Sequence, residues 1–195
     1  MDDLPNNSTR VRILDAAEAL FSARGFATVT LRDIANVVGM RHASLYYYVP
    51  GGKEQLYIEV MERNFKRHRT GLEQAITSAG QDIRTQLHGV AHWLVTQPPI
   101  DVTRMHQADM LALEQAQAEQ LMVLAYDSLR TPIVAAINRA VAAGVIHVPE
   151  PNLAAMGLIS LIESVHAIPA AYQTLPLEQV AQQLVDMLFD GWRVR

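Results

Sequence analysis

Apolar residues recur at three- and four-residue spacing along almost the whole chain, and glycine or proline interrupts the rhythm early and often in the first fifty positions. Such a pattern leaves room for helices and little else. Ile13, Ala16, Ala17, Leu20 and Phe21 lie on one face of a helix that Gly25, a residue able to take positive φ, stops. In Thr30-Leu31-Arg32-Asp33, the Thr30 hydroxyl is placed to accept from the amide of Asp33 and the Asp33 carboxylate to reach back, a capping box with Asp in the usual Glu position. Leu31, Ile34, Ala35 and Val38 form the buried face of that helix, which Gly39 ends. A third short helix holds Ala43, Leu45, Tyr46 and Tyr48, and Pro50 ends it by disfavouring the α conformation at Val49.

Later helices are longer. Residues 53 to about 78 carry Leu56, Val60, Met61, Phe65 and Leu72 on one side, and Ile83, Leu87, Val90, Ala91, Leu94 and Val95 mark the next helix, ended by Pro98-Pro99. Residues 101 to about 145 read as two helices, the second kinked at Pro132. Residues 153–168 are apolar almost all round, which predicts burial on several sides. Pro176 suits the N1 position of a last helix through Val180, Leu184, Val185, Leu188 and Phe189. No repeat and no strand pattern is present. The expected fold is all-α with about nine helices, an N-terminal three-helix domain over residues 1–52 and a larger helical domain over 53–195.

Charge supports two modules. Residues 1–70 hold ten basic and eight acidic side chains, whereas 71–195 hold six and twelve, so a net charge of −4 hides a positive first part. Cysteine is absent, which excludes a disulfide framework, a thiolate zinc site and a cysteine nucleophile. The opening MDDLPNNSTR has no apolar core of a leader, and no apolar run approaches a membrane span. The expectation is a soluble, cytoplasmic protein with no membrane partner.

Two short helices joined by Gly39-Met40-Arg41 have the spacing of a helix-turn-helix, although tight turns occur in any helical bundle. The fuller pattern is specific. ILDAAEALFSARGF, TVTLRDIANVVGM and ASLYYYVPGGKEQL, between Ile13 and Leu56, closely resemble the tetracycline-repressor (TetR) family of transcriptional regulators. Arg41 stands where Ser or Thr is usual, Val49 where Phe is usual, and the loop at Pro50-Gly51-Gly52-Lys53 is one residue longer than the common one. The resemblance implies a helix-turn-helix DNA-binding domain, a double-stranded DNA operator as partner, and a C-terminal domain that dimerises and houses a small-molecule effector. It implies no catalytic residue, metal or cofactor.

Roles follow residue by residue. Thr30 and the free amides after it suit a phosphate at a helix N-terminus. Arg41 and His42 occupy the turn and the start of the recognition helix, where base edges are met; the Ala43 methyl suits a thymine methyl, and Ser44 a base or phosphate. Tyr46 and Tyr47 match family positions that bond the DNA backbone, Tyr48 stands where His or Tyr is usual or packs beside Leu45, and Lys53 suits a phosphate. Arg32 reads as a solvated helix residue. Arg10 is open between an arm reaching the minor groove and an unordered terminus.

In the second module, Trp93, Met105, Met110, Met122, Tyr126 and His166 are expected at the effector pocket, with plain core packing the competing reading. The last two helices expose more apolar surface than one packed layer covers, which places Leu158, Leu161, Leu184 and Leu188 in a four-helix dimer interface. His88 and His92, one turn apart, admit an alternative in which they join Glu114 in an all-helical metal enzyme, against the reading of two solvated histidines. A further alternative is a helical interaction adaptor without DNA binding. The favoured expectation is a homodimeric repressor released from a pseudo-palindromic operator by a small, largely apolar effector.

Overall fold

The computed structural model describes residues 7–99 and 104–192, and among them there is no β-strand. Helices α1 (Asn7–Arg24), α2 (Leu31–Val38), α3 (His42–Tyr48), α4 (Gly52–Ser78) and α5 (Ile83–Thr96) come first. One π-helical turn (Met105–Asp109) and a 3-10 turn (Met110–Ala112) precede α6 (Gln115–Ala142) and α7 (Pro151–Glu163). Two 3-10 turns (Ser164–Ala167 and Ala170–Tyr172) then lead to α8 (Leu177–Trp192). The all-α expectation is met. The chain forms two compact units, Met1–Asn64 with Asp101–Leu124, and Phe65–Ile100 with Ala125–Arg195. The first unit is therefore discontinuous in sequence.

In the first unit, local chemistry sets each boundary. Gly25 takes φ +75° after α1 and its amide bonds the Phe21 carbonyl at 2.9 Å. Thr30 caps α2 as its spacing predicts: Asp33 N donates to Thr30 Oγ1 at 3.2 Å and Thr30 N to Asp33 Oδ2 at 2.8 Å. Gly39, at φ +76°, closes α2 with Met40 N reaching the Ala35 carbonyl at 2.9 Å. Val49 adopts φ −132° and ψ 63° before Pro50, outside the helical region, and α3 stops there. The buried faces of α1 and α2 meet Leu45, Val49, Leu56 and Val60 in one core that includes Ile13, Ala17, Phe21, Phe26 and Ile34.

The second unit packs α5 against α7 and α8. Leu87, Val90, Ala91 and Leu94 of α5 are buried with Leu158, Ile159 and Ile162 of α7 and Ala181, Val185 and Phe189 of α8. Polar contacts cover the α5–α8 seam. Arg84 reaches Asp186 at 3.5 Å, pairs with Asp190, and lies over the Phe189 ring at 4.7 Å. His88 Nε2 is 2.9 Å from Asp186.

The junction left open between 101 and 145 falls at Leu113–Glu114, after a π and a 3-10 turn that no apolar spacing announces. Pro132 lies inside α6, the second of the two helices expected there. Two details differ from the periodicity. Pro176 is the residue before α8, one earlier than N1, with its carbonyl accepting from Gln179 and Val180. In α7, Ala155, Leu158, Ile159 and Ile162 are buried but Leu153 is 72% exposed, so this chain covers one side of the helix and not several.

Candidate nucleic-acid interface

Helix α3 has seven residues and one anchor. Leu45 is fully buried. At 3.6 residues per turn, Ala43 and Tyr47 lie nearly opposite it and Ser44 and Tyr46 flank them. All four are exposed, as is Arg41, while His42 and Tyr48 are half-buried. The His42 and Tyr46 rings, one turn apart, meet edge to face with centroids 5.1 Å apart, and Tyr47 and Tyr48 do so at 5.3 Å. These contacts limit the rotamers available before anything binds. Arg41 precedes the helix in extended conformation and makes no capping bond of its own, so its guanidinium is not spent on the helix it opens.

Cations on α1 hold the motif together. Arg10 donates to the Tyr48 carbonyl, the last of α3, and pairs with Glu59 of α4. Arg12 donates to the Val38 carbonyl, the last of α2, at 2.8 Å. Each guanidinium thus satisfies carbonyls at a helix C-terminus and complements its negative end. Arg10 resolves neither as an arm nor as an unordered terminus, because it is part of α1. Sequence reasoning missed both roles, since the bonds span 38 and 26 residues and leave no local signal.

Thr30 is exposed, and its hydroxyl is shared with Asp33, donating to Oδ2 at 2.7 Å. The same bonds hold the Asp33 carboxyl below the usual carboxylate range, with Arg24, 3.7 Å away, acting in the same direction. Lys53 Nζ donates to the Phe26 and Val29 carbonyls at 3.0 Å each and lies 4.1 Å from the Phe26 ring centre. It ties the α1–α2 connection to the start of α4, and one of its three N–H groups remains for a phosphate.

The pocket candidates fall in both units. Met105 and Met110 are buried in the first unit, where Met122 is half-buried. Trp93, Tyr126 and His166 belong to the second, where Trp93 lies flat on Gly71 and meets His68 edge-on at 6.2 Å. A groove of about 960 Å³ opens in the second unit, walled by Ile76, Ile83, Ala136, Ala140 and Val145 with Arg139 at its side. None of the six candidates lines it. Of the proposed interface residues, Leu158 is fully buried within its own chain, and Leu161, Leu184 and Leu188 are half-buried. His88 faces Asp186, His92 lies 4.0 Å from Glu178, and Glu114 belongs to the other unit. Among the described residues no three His, Asp or Glu side chains converge as metal ligands, and no helix is long and apolar enough to cross a membrane.

A capped helix, a turn closed by a left-handed glycine and a short helix with a polar, aromatic outer face have the geometry of a helix-turn-helix. Residues 13–60 match the family model described as bacterial regulatory proteins, tetR family. The HTH-type transcriptional repressor KstR2 of Rhodococcus jostii (strain RHA1) is 32% identical over 122 residues, 62% of this chain and 56% of that protein. The HTH-type transcriptional regulator LmrA of Bacillus subtilis (strain 168) is 45% identical over 53 residues, 27% of this chain and 28% of that protein. The matches thus span under two thirds of either relative's length. A solved structure of a putative transcriptional regulator from Saccharomonospora viridis, in complex with choline, superposes with TM-score 0.74 at 20% identity over 97% of this chain and all of that one, which is a likeness of fold. Residues 13–60 are thus similar to the N-terminal region of tetR-family regulators, and the likeness beyond them is one of fold.

Proposed function

We propose that this protein is a homodimeric transcriptional repressor that binds a pseudo-palindromic operator in the cytoplasm and is released by a small, largely apolar effector. The observation that carries the reading is the outward face of α3, where Arg41, Ala43, Ser44, Tyr46 and Tyr47 are exposed around the buried Leu45. A helix so anchored presents base-reading groups near its N-terminus and phosphate-binding hydroxyls behind them, as major-groove insertion requires. Arg41, His42, Ala43 and Ser44 are assigned to base edges, and Thr30, Tyr46, Tyr47, Tyr48 and Lys53 to the backbone.

The dimer is supported by Leu153 and Met187, 72% and 71% exposed on α7 and α8, which a second copy would cover. The effector reading is supported by the groove in the second unit. Of its polar side chains, Asp82 caps α5, Gln86 bonds the Gly80 carbonyl and Thr77 the Glu73 carbonyl, which leaves Gln81 and Arg139, the latter without an ion pair among the described residues. Such a lining suits an apolar molecule with one polar or anionic group. KstR2 of Rhodococcus jostii is named a repressor, which favours repression here.

Selection of bound duplexes from a random library, followed by affinity measurements at fixed salt, tests the reading. His42→Ala is expected to change the preferred motif, whereas Tyr47→Phe weakens all duplexes by a similar factor because a phosphate contact carries no base identity. A wild-type chain that enriches no motif, or a His42→Ala motif identical to the wild-type one, would overturn the assignment.

A further inference from the structure

The connection between α1 and α2 is gripped by side chains from far along the chain. Asp109, 4% exposed at the end of the π-helical turn, accepts the Phe26 amide on Oδ1 at 3.0 Å and the Tyr57 hydroxyl on Oδ2 at 3.3 Å. Arg104, just before that turn, donates to the Ser22 and Phe21 carbonyls at 2.9 and 3.3 Å, in the last turn of α1. Lys53 takes the carbonyl of the same Phe26. The Phe26 residue is therefore held by its N–H from one side and its C=O from the other, and its ring packs on Phe21 and Tyr57 with centroids 6.0 and 4.8 Å away.

Asp109 is costly where it stands. A carboxylate buried this deeply is tolerated when its oxygens are bonded and a cation stands near, and both conditions are met by Phe26, Tyr57 and Arg104. A Cβ at Gly25 would lie 3.5 Å from Asp109 Oδ1 and 3.9 Å from Arg104 Nε, so the two charged groups close on one turn. The π-helical turn is itself a rare conformation, found mostly where a side chain must be aimed. Five residues, 25–29, separate α1 from the Thr30 cap. Fixing Phe26 within them fixes where α2, and with it α3, starts.

We infer that Arg104 and Asp109 are positioning residues of the DNA-reading unit, which residues 13–60 alone do not complete. The inference rests on the DNA-binding reading above, and it extends the unit to a segment the family model does not cover. Neither residue touches DNA. They act through the Gly25–Phe26 turn, by setting the angle at which α2 and α3 meet the groove.

The test uses the full chain and the motif the wild type selects. Anisotropy titrations compare that duplex with a scrambled one at the same salt for Asp109→Val, Asp109→Asn, Arg104→Met and Tyr57→Phe, alongside hydrogen exchange at the Phe26 amide. Asp109→Val and Arg104→Met are expected to lose about tenfold or more in affinity for the selected duplex, the equivalent of losing one charge-assisted bond. Scrambled-duplex affinity should stay level. Asp109→Asn keeps an acceptor and recovers part of the loss, and Tyr57→Phe, which removes one bond without removing charge, serves if Asp109→Val does not fold. Phe26 exchange accelerates in each Asp109 variant while Val90, in the other unit, keeps its protection. Variants that bind the selected duplex like the wild type, or lose both affinities equally, would overturn the inference. A wild type that selects no motif removes the DNA-binding reading and this inference with it, an outcome distinct from variants that match a selective wild type.

Discussion

Gly71 shows how one missing methyl shapes a helix surface. A Cβ there would come 2.1 Å from the Trp93 ring, so α4 admits the indole only because its backbone is bare at that point. Gly71→Ala gains helix propensity but forces the ring off its seat, and overpacking of this kind costs on the order of 1–3 kcal/mol. Thermal unfolding should show a clear fall in midpoint, and a variant as stable as the wild type would mean that Trp93 can move freely. Residues of the first unit divide by the reach of their bonds. Gly25, Thr30, Asp33 and Gly39 were legible in the sequence because each acts within five residues of itself. Arg10, Arg12, Arg104 and Asp109 were not, since their partners lie 26 to 83 residues away. No periodicity encodes a side chain that caps another helix.

Among the elements, the capped helices α2 and α5 share an acid-sensitive start. Thr30 bonds Asp33 and Thr85 bonds Asp82, and in both cases those hydrogen bonds lower the carboxyl from its ordinary value of 3.8. The folded value lies below the unfolded one, so the contribution is fully present above about pH 5 and is lost as pH falls through the ordinary and then the lowered value. In melting curves across pH, Asp33→Asn with Asp82→Asn should be less stable than the wild type near neutrality and approach it in acid. A gap independent of pH would mean that the caps do not depend on ionised carboxylates. The short length of α2 and α3 was read from Gly39 and Pro50. The π turn at 105–109 was not, because nothing in the apolar spacing of its residues separates it from an α-helix and the bonds of Asp109 at its end reach partners far along the chain.

On the scale of the whole molecule, α7 and α8 carry exposed apolar side chains that the proposed dimer would cover. Leu153 and Met187 are largely exposed beside the half-buried Leu161, Leu184 and Leu188, and the apolar run at 153–168 announced that surface without saying what covers it. Sedimentation without DNA is expected to give a dimer at micromolar concentration, and Leu153→Glu with Met187→Glu to give folded monomers, since both positions face solvent in the chain itself. A monomeric wild type would remove the dimer from the proposed function. The seat of Trp93 on Gly71 has one more consequence, an optical one. Both tryptophans, Trp93 and Trp192, belong to the second unit, whereas four of the six tyrosines, Tyr46, Tyr47, Tyr48 and Tyr57, belong to the first. Light absorbed only by indole therefore reports on the unit to which the effector is assigned, and phenol emission comes chiefly from the unit to which DNA reading is assigned, so each half of the proposed signal carries a separate intrinsic colour.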